Sequence, residues 1–202
     1  MRADRMSALG QVVALALAWA MLGAASAASQ NIWEQERPSG DWGGLRGSLA
    51  DEGVTLELVG TSDVMGVVSG GIDYDAEYLS DVDLMLTLET EPLLGWKGGT
   101  IFVYGLGILN TGSPSENAGD TQTLDNIDAP EEWKLYEAWI QQELLEGRMS
   151  LLAGLYDVAG EFDVMESASL FLNSSCGIGT DLSQSVRNGL SIFPSTSLGL
   201  CL

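Results

Sequence analysis

Residues 81–89 restrict the possible folds of this chain more than any other stretch. Val82, Leu84, Leu86 and Leu88 alternate there with Asp81, Asp83, Thr87 and Glu89. Side chains two positions apart on a helix point about 200° apart, so a helix would scatter the leucines around its circumference. A strand with one apolar and one acidic face accounts for the pattern. In an exported protein with several such strands, apolar faces meet lipid and carboxylate faces line water, as in a transmembrane β-barrel.

Export is written at the N-terminus. Arg2 and Arg5 supply a positive start, Leu9 to Leu22 is almost entirely Ala, Leu, Val and Met, and Ala25-Ser26-Ala27 has the small-x-small form of a signal peptidase site. Cleavage is expected after Ala27, because an apolar run of about 14 is shorter than the roughly 20 residues a spanning helix needs. Any membrane insertion must then use strands. The expected domains are a signal peptide over 1–27, a periplasmic lead-in with a short helix over 28–53, and a partial outer-membrane barrel over 54–202.

Taking Arg2, Arg5 and Asp4 from the 8 basic and 29 acidic residues leaves 6 and 28, a net charge of −22. Nucleic acid is excluded as a partner, since phosphate binding needs clustered Lys and Arg. Anionic solutes are repelled by such a field, and neutral or cationic ones are tolerated. The absence of histidine excludes a Ser-His-Asp or Cys-His triad and any histidine-ligated metal. Cys176 and Cys201 are too few for a disulfide framework. Asp73, Asp75 and Glu77, like Asp120, Asp125 and Asp128, lack the spacing of a calcium loop and read as solvated acid. No cofactor and no metal is expected.

Six strand-like segments follow the lead-in. Asp41 is placed to cap a helix that runs to Asp51, with Leu45 and Leu49 on one side and Gly53 ending it. Strands are predicted over Val54 to Val68, Tyr78 to Thr90, Thr100 to Leu109, Trp133 to Leu144 and Ser150 to Asp157, with a sixth from Ser195. Phe102, Tyr104, Leu106 and Ile108 share one face of the third, opposite Gly105 and Gly107. In the fourth, Tyr136, Ala138 and Ile140 alternate with Glu137, Trp139 and Gln141. Leu93 to Gly99 reads as a tight glycine turn. The loop from Val158 to Phe193 is long enough to enter a lumen, with a helical turn near Ser167 to Asn173 anchored by Leu170, Phe171 and Leu172.

The connections run medium, short, long, short, long. An antiparallel meander collects the short ones at one end and the long ones at the other, which is the asymmetry of outer-membrane barrels. Tyr78, Trp96, Trp133 and Tyr156, near strand ends, are placed either as membrane-interface girdle residues or as ordinary strand aromatics.

Gly40-Asp41-Trp42-Gly43-Gly44-Leu45-Arg46, followed by Leu49-Ala50-Asp51-Glu52-Gly53-Val54-Thr55-Leu56, resembles the opening of the carbohydrate-selective porins of the OprB type. Leu93 to Gly98, Leu135 to Gln142 and Ser167 to Asn173 are similar to that family in the same order. The resemblance implies a sixteen-stranded outer-membrane barrel that passes sugars by diffusion, with inward-folding loops narrowing the channel. Its members are about twice as long, so it also implies that five or six of the strands are present here. Each unpaired backbone group at an open sheet edge in hydrocarbon is costly, and the chain alone is not expected to form a working channel.

Carbohydrate and outer-membrane lipid are thus the expected partners, and catalysis is not expected. A sugar presents hydroxyls and apolar C–H faces, which a wall handles with carboxylates or amides beside aromatic rings. Glu137, Trp139 and Gln141 on one strand face supply an acceptor, a stacking surface and an amide. Asp81, Asp83 and Glu89 extend a polar wall on another strand. Glu137 is equally placed to pair with an arginine in the barrel. Arg187 either faces carboxylates across a constriction or serves as a structural ion-pair partner. The rival reading is a secreted soluble β-protein that binds or hydrolyses sugars, since glycoside hydrolysis needs only two well-spaced carboxylates.

Overall fold

The computed structural model describes residues 37–202 apart from 163, 166, 184, 186 and 188. The expected signal peptide, 1–27, lies outside the described residues. The chain divides after Glu52 into an N-terminal unit and a sheet unit from Gly53 to Leu202. No described helix is long and apolar enough to cross a membrane.

In the N-terminal unit a 3-10 turn over Trp42–Gly44 leads into helix α1, Leu45–Asp51. Asp41 does not cap it with its side chain, contrary to the expectation. Gly43 and Gly44, at φ +68° and +88°, insert a left-handed step, so the helix starts three residues too late for that carboxylate. The Asp41 carbonyl oxygen accepts from the amides of Gly44 and Arg46 instead. The Arg46 guanidinium lies 4.4 Å from the centre of the Trp42 ring, a cation–π contact.

The sheet unit is one six-stranded antiparallel meander in the order β1-β2-β3-β4-β5-β6. Its strands are β1 Val54–Gly66, β2 Ala76–Glu89, β3 Gly99–Asn110, β4 Glu132–Leu144, β5 Met149–Tyr156 and β6 Ser197–Cys201. All six predicted strands are present, with ends shifted by a few residues. The predicted glycine turn is a short helix, α2, Thr90–Leu94, closed by Gly95 at φ +72°. Connections 90–98 and 145–148 fall at one end of the sheet, and 67–75, 111–131 and 157–196 fall at the other. Helix α3, Pro114–Ala118, is capped by the Ser113 hydroxyl and sits within the second of these long loops. β1 and β6 are not paired with each other.

Cross-strand register sorts the side chains onto two faces. One carries Leu56, Leu58, Leu84, Leu86, Ile101, Val103, Leu135, Ile140, Leu155 and Leu198 with their partners. The other carries Glu57, Asp63, Glu77, Asp81, Asp83, Glu89, Glu132, Lys134, Glu137 and Glu143. Every charged strand residue is on that second face. On the first, Leu84 is 43% exposed, Trp133 68% and Leu198 84%. Soluble monomers rarely leave large contiguous apolar surfaces open.

Most of the buried apolar residues lie on the charged face, beneath the long loops. Leu106, Ile108, Ala129 and Tyr136 pack together there, with Tyr104 and Phe193 against them. The predicted alternation of β4 is broken by a bulge: Tyr104 pairs with Glu137 and Gly105 with Leu135, leaving Tyr136 as the extra residue. Two consecutive residues can then share a side, and Tyr136 joins Glu137 on the charged face instead of Ala138 on the apolar one.

Candidate functional site: the aromatic and carboxylate face

The short connection 90–98 fixes the register of β3 on β2, bringing Phe102 opposite Thr87 and Tyr104 opposite Met85. The Tyr104 hydroxyl donates to Asp83 at 2.7 Å. Across the next ladder Phe102 meets Trp139 and Tyr104 meets Glu137. Phe102 and Trp139 stack with centroids 4.9 Å apart at 28°. The Trp139 indole N–H donates to Glu137 at 2.8 Å. Tyr136 stands edge-on to Tyr104, centroids 4.9 Å apart, and edge-on to Phe193 at 6.3 Å. Its hydroxyl donates to Asp157.

Three predicted residues, Asp83, Glu137 and Trp139, therefore come together, joined by Phe102 and Tyr104. Asp81 lies on the same face but is 7% exposed, opposite Ile108, and accepts from the Thr61 amide at 3.2 Å. It is part of the packed region and is not an open wall residue. Gln141 and Glu89 lie toward the short-connection end, Glu89 exposed beside Thr100. Arg187 is exposed in the last long loop and makes no ion pair with a described residue. Glu137, which the sequence also allowed as an arginine partner, bonds Trp139.

Other expectations fail. Leu170, Phe171 and Leu172 are exposed and do not anchor their loop. That loop is held by hydrogen bonds to the β3–β4 loop: Asn126 N–H to the Leu172 carbonyl at 2.7 Å, and Ser174 N–H and hydroxyl to the Thr123 carbonyl at 3.1 and 3.0 Å. Tyr156 faces the charged side and is buried, so it is no girdle residue. Tyr78 and Trp133 do stand exposed on the apolar face near the long loops, and Trp96 is exposed at the opposite end. Cys176 and Cys201 are free thiols. No cluster of acids and thiols among the described residues is arranged to hold a metal ion.

Tyr136, Asp157 and Phe193 were not anticipated as site residues. One signal for Tyr136 was available: charge sits at even positions, Glu132 and Lys134, before it and at odd ones, Glu137 and Glu143, after it. That change of phase marks a bulge. Asp157 and Phe193 come from a 40-residue loop whose path no periodicity reports.

The two long loops border an open cavity of about 810 Å³, lined among others by Asp120, Gln122, Asn126, Asp128, Asp157 and Phe193. Asp128 accepts from the hydroxyls of Ser113 and Ser115. Burial, with the like charge of Asp128 beside it, pushes the Asp120 carboxyl above the ordinary carboxylate range. Asp125, 1% exposed, is pushed up chiefly by burial and further by Asp63 and Asp128.

A meander whose charged strand residues all face one side, with long loops packed on that side, is a section of an antiparallel β-barrel wall. The carbohydrate-selective porin, OprB, family model matches residues 73–202, and the chain belongs to that family. The chain is similar to the high-pH structure of Pseudomonas putida OprB, with 22% identity and a TM-score of 0.63 over 70% of this chain and 35% of that one. It is also similar to the low-pH structure of the same protein, at 22% identity and a TM-score of 0.45 over 61% and 40%. The chain thus spans about a third of the length of the protein in the first of these structures. No curated protein matches.

Proposed function

We propose that this chain forms part of the wall and constriction of an outer-membrane channel for the diffusion of neutral carbohydrates, reached through a cleaved signal peptide over 1–27 and preceded by a periplasmic lead-in over 28–53. The observation that carries this is the joining of Phe102 and Trp139 rings to Asp83 and Glu137 carboxylates on the one charged face, opposite a face without charge. Rings take the C–H faces of a pyranose and carboxylates take its hydroxyls. Such contacts are shallow enough to release a solute, as conduction requires. No proton transfer or covalent step is needed.

Accessibility to a membrane-impermeant thiol reagent tests this in outer membranes of producing cells. In a Cys176→Ser, Cys201→Ser background, cysteine at Glu137 or Asp83 is expected to react and to be protected by glucose. Cysteine at Leu84 or Leu135 is expected to stay unmodified. Equal reaction on both faces, or no protection by any neutral sugar, overturns the proposal.

A further inference from the structure

We infer that the cavity between the two long loops is a binding vestibule that prefers a protonated amino sugar to its neutral analogue and rejects acidic sugars. This deepens the carbohydrate reading and rests on it. At about 810 Å³ the cavity lies within the roughly 300–1,000 Å³ range of pockets that hold drug-sized ligands. Its walls are prebuilt, because the bonds from Asn126, Asn173 and Ser174 fasten one loop to the other at Leu172 and Thr123.

The lining has the parts a sugar site needs. Phe193 gives an apolar ring face, and the Asn126 amide, which donates to the Phe171 carbonyl at 3.2 Å, keeps a second N–H and its oxygen for a ligand. Three carboxylates, Asp120, Asp128 and Asp157, join them, and no lysine or arginine is among the described residues that line the cavity. Lys134, the one base on the charged strand face, is already paired with Glu132. An ammonium group on a pyranose finds carboxylates there that are held by hydrogen bonds and face no described cation, whereas a carboxylate or phosphate on it meets repulsion. Phe193 and Asp157 also touch Tyr136, whose ring meets Tyr104. The cavity wall at Phe193 and Asp157 therefore packs onto the strand-face aromatics through the buried Tyr136 ring.

The test is calorimetric titration of the full chain in lipid vesicles with glucosamine, N-acetylglucosamine and glucuronate at low salt and mildly acidic pH. Glucosamine is expected to bind about tenfold more tightly than N-acetylglucosamine, from several partly exposed charges acting together, and glucuronate is expected to show no binding. Asp120→Asn, a change at an exposed residue, should reduce that preference by about two- to fivefold, the size of one such charge pair. Equal affinity for the amine and its acetylated form overturns the inference while leaving the porin reading standing. A preference that survives Asp120→Asn but vanishes in Glu137→Gln moves the amine to the strand wall and also overturns it. Failure of all three sugars to bind sinks both readings.

Discussion

Leu84→Arg weighs the lipid reading of the uncharged face against a soluble one. Leu84 points away from every carboxylate in the sheet, between Leu58 and Gly105. It lies five residues from the end of β2 at Glu89. At about 3.3 Å per residue and a tilt of about 40° from the barrel axis, that places it roughly 13 Å from the short-connection rim. An apolar band of about 25 Å has its midplane near that depth, where an arginine costs about 2–4 kcal/mol. On a water-facing surface the same change at a residue already 43% exposed would stay within about 0.5 kcal/mol. The assay is denaturant unfolding of vesicle-reconstituted protein followed by tryptophan fluorescence, with Asp83→Asn one residue away as the inward control. A Leu84→Arg cost under about 0.5 kcal/mol, the size of a surface change, would refute the assignment of this face to lipid.

Three further outcomes follow from local geometry. Gly154→Ala should cost about 1–3 kcal/mol, because Gly154 sits at φ +149° and a Cβ there meets the backbone of Ala138 and Trp139; near-ultraviolet circular dichroism should report loss of the Phe102–Trp139 stack. Tyr136→Phe removes the hydroxyl that Asp157 accepts from and should cost about 1–3 kcal/mol, with faster hydrogen exchange across residues 157–196. For Asp125 the folded pKa is raised, so its stabilising contribution is full below the ordinary carboxylate range and is lost as pH rises through the folded value. Exchange protection of residues 111–131 should therefore fall as pH rises above the ordinary carboxylate range in the wild type and stay level in Asp125→Asn.

The strands were legible because a half-buried sheet imprints its period on the residues. Val82 to Leu88 have no other two-sided arrangement, and the glycines and charges of 95–98 and 145–148 mark where the chain reverses. Glu137 and Trp139 could be placed on one face for the same reason. Their neighbours were less legible, because a contact between strands depends on register, and register follows from the exact length of a turn. Phe102 stands against Trp139 through the β3–β4 register, which is set across the long connection 111–131 and shifted by the bulge at Tyr136. β3 is apolar on both faces, so its inward side carried no label. Asp81 looked like a wall carboxylate, and only the packing of Ile108 beside it shows that it is covered. The failure of Leu170 to Leu172 to anchor their loop has the same origin. That loop is held by the Thr123 carbonyl and the Asn126 amide, groups that leave no hydrophobic trace.

The bulge at Tyr136 reconciles two incompatible halves of β4. In a regular ladder, putting Glu137, Trp139 and Glu143 on the charged face would send Lys134 and Glu132 to the uncharged one, into a layer where charged residues destabilise a barrel. One extra residue resets the phase and keeps all five on the same side. Tyr136 itself is then free to serve another purpose, and it closes the core between Leu106, Ile108, Ala129 and Phe193. Deleting Tyr136 should accordingly leave every strand paired and every charge facing as before, since the shortened strand alternates without interruption. What it removes is the ring beneath the loops, a loss comparable to truncating a buried aromatic, about 3–5 kcal/mol. Hydrogen exchange should show loops 111–131 and 157–196 opening while β1 to β3 keep their protection. Collapse of the whole sheet on this deletion would mean that the bulge carries a structural role that charge phase does not explain.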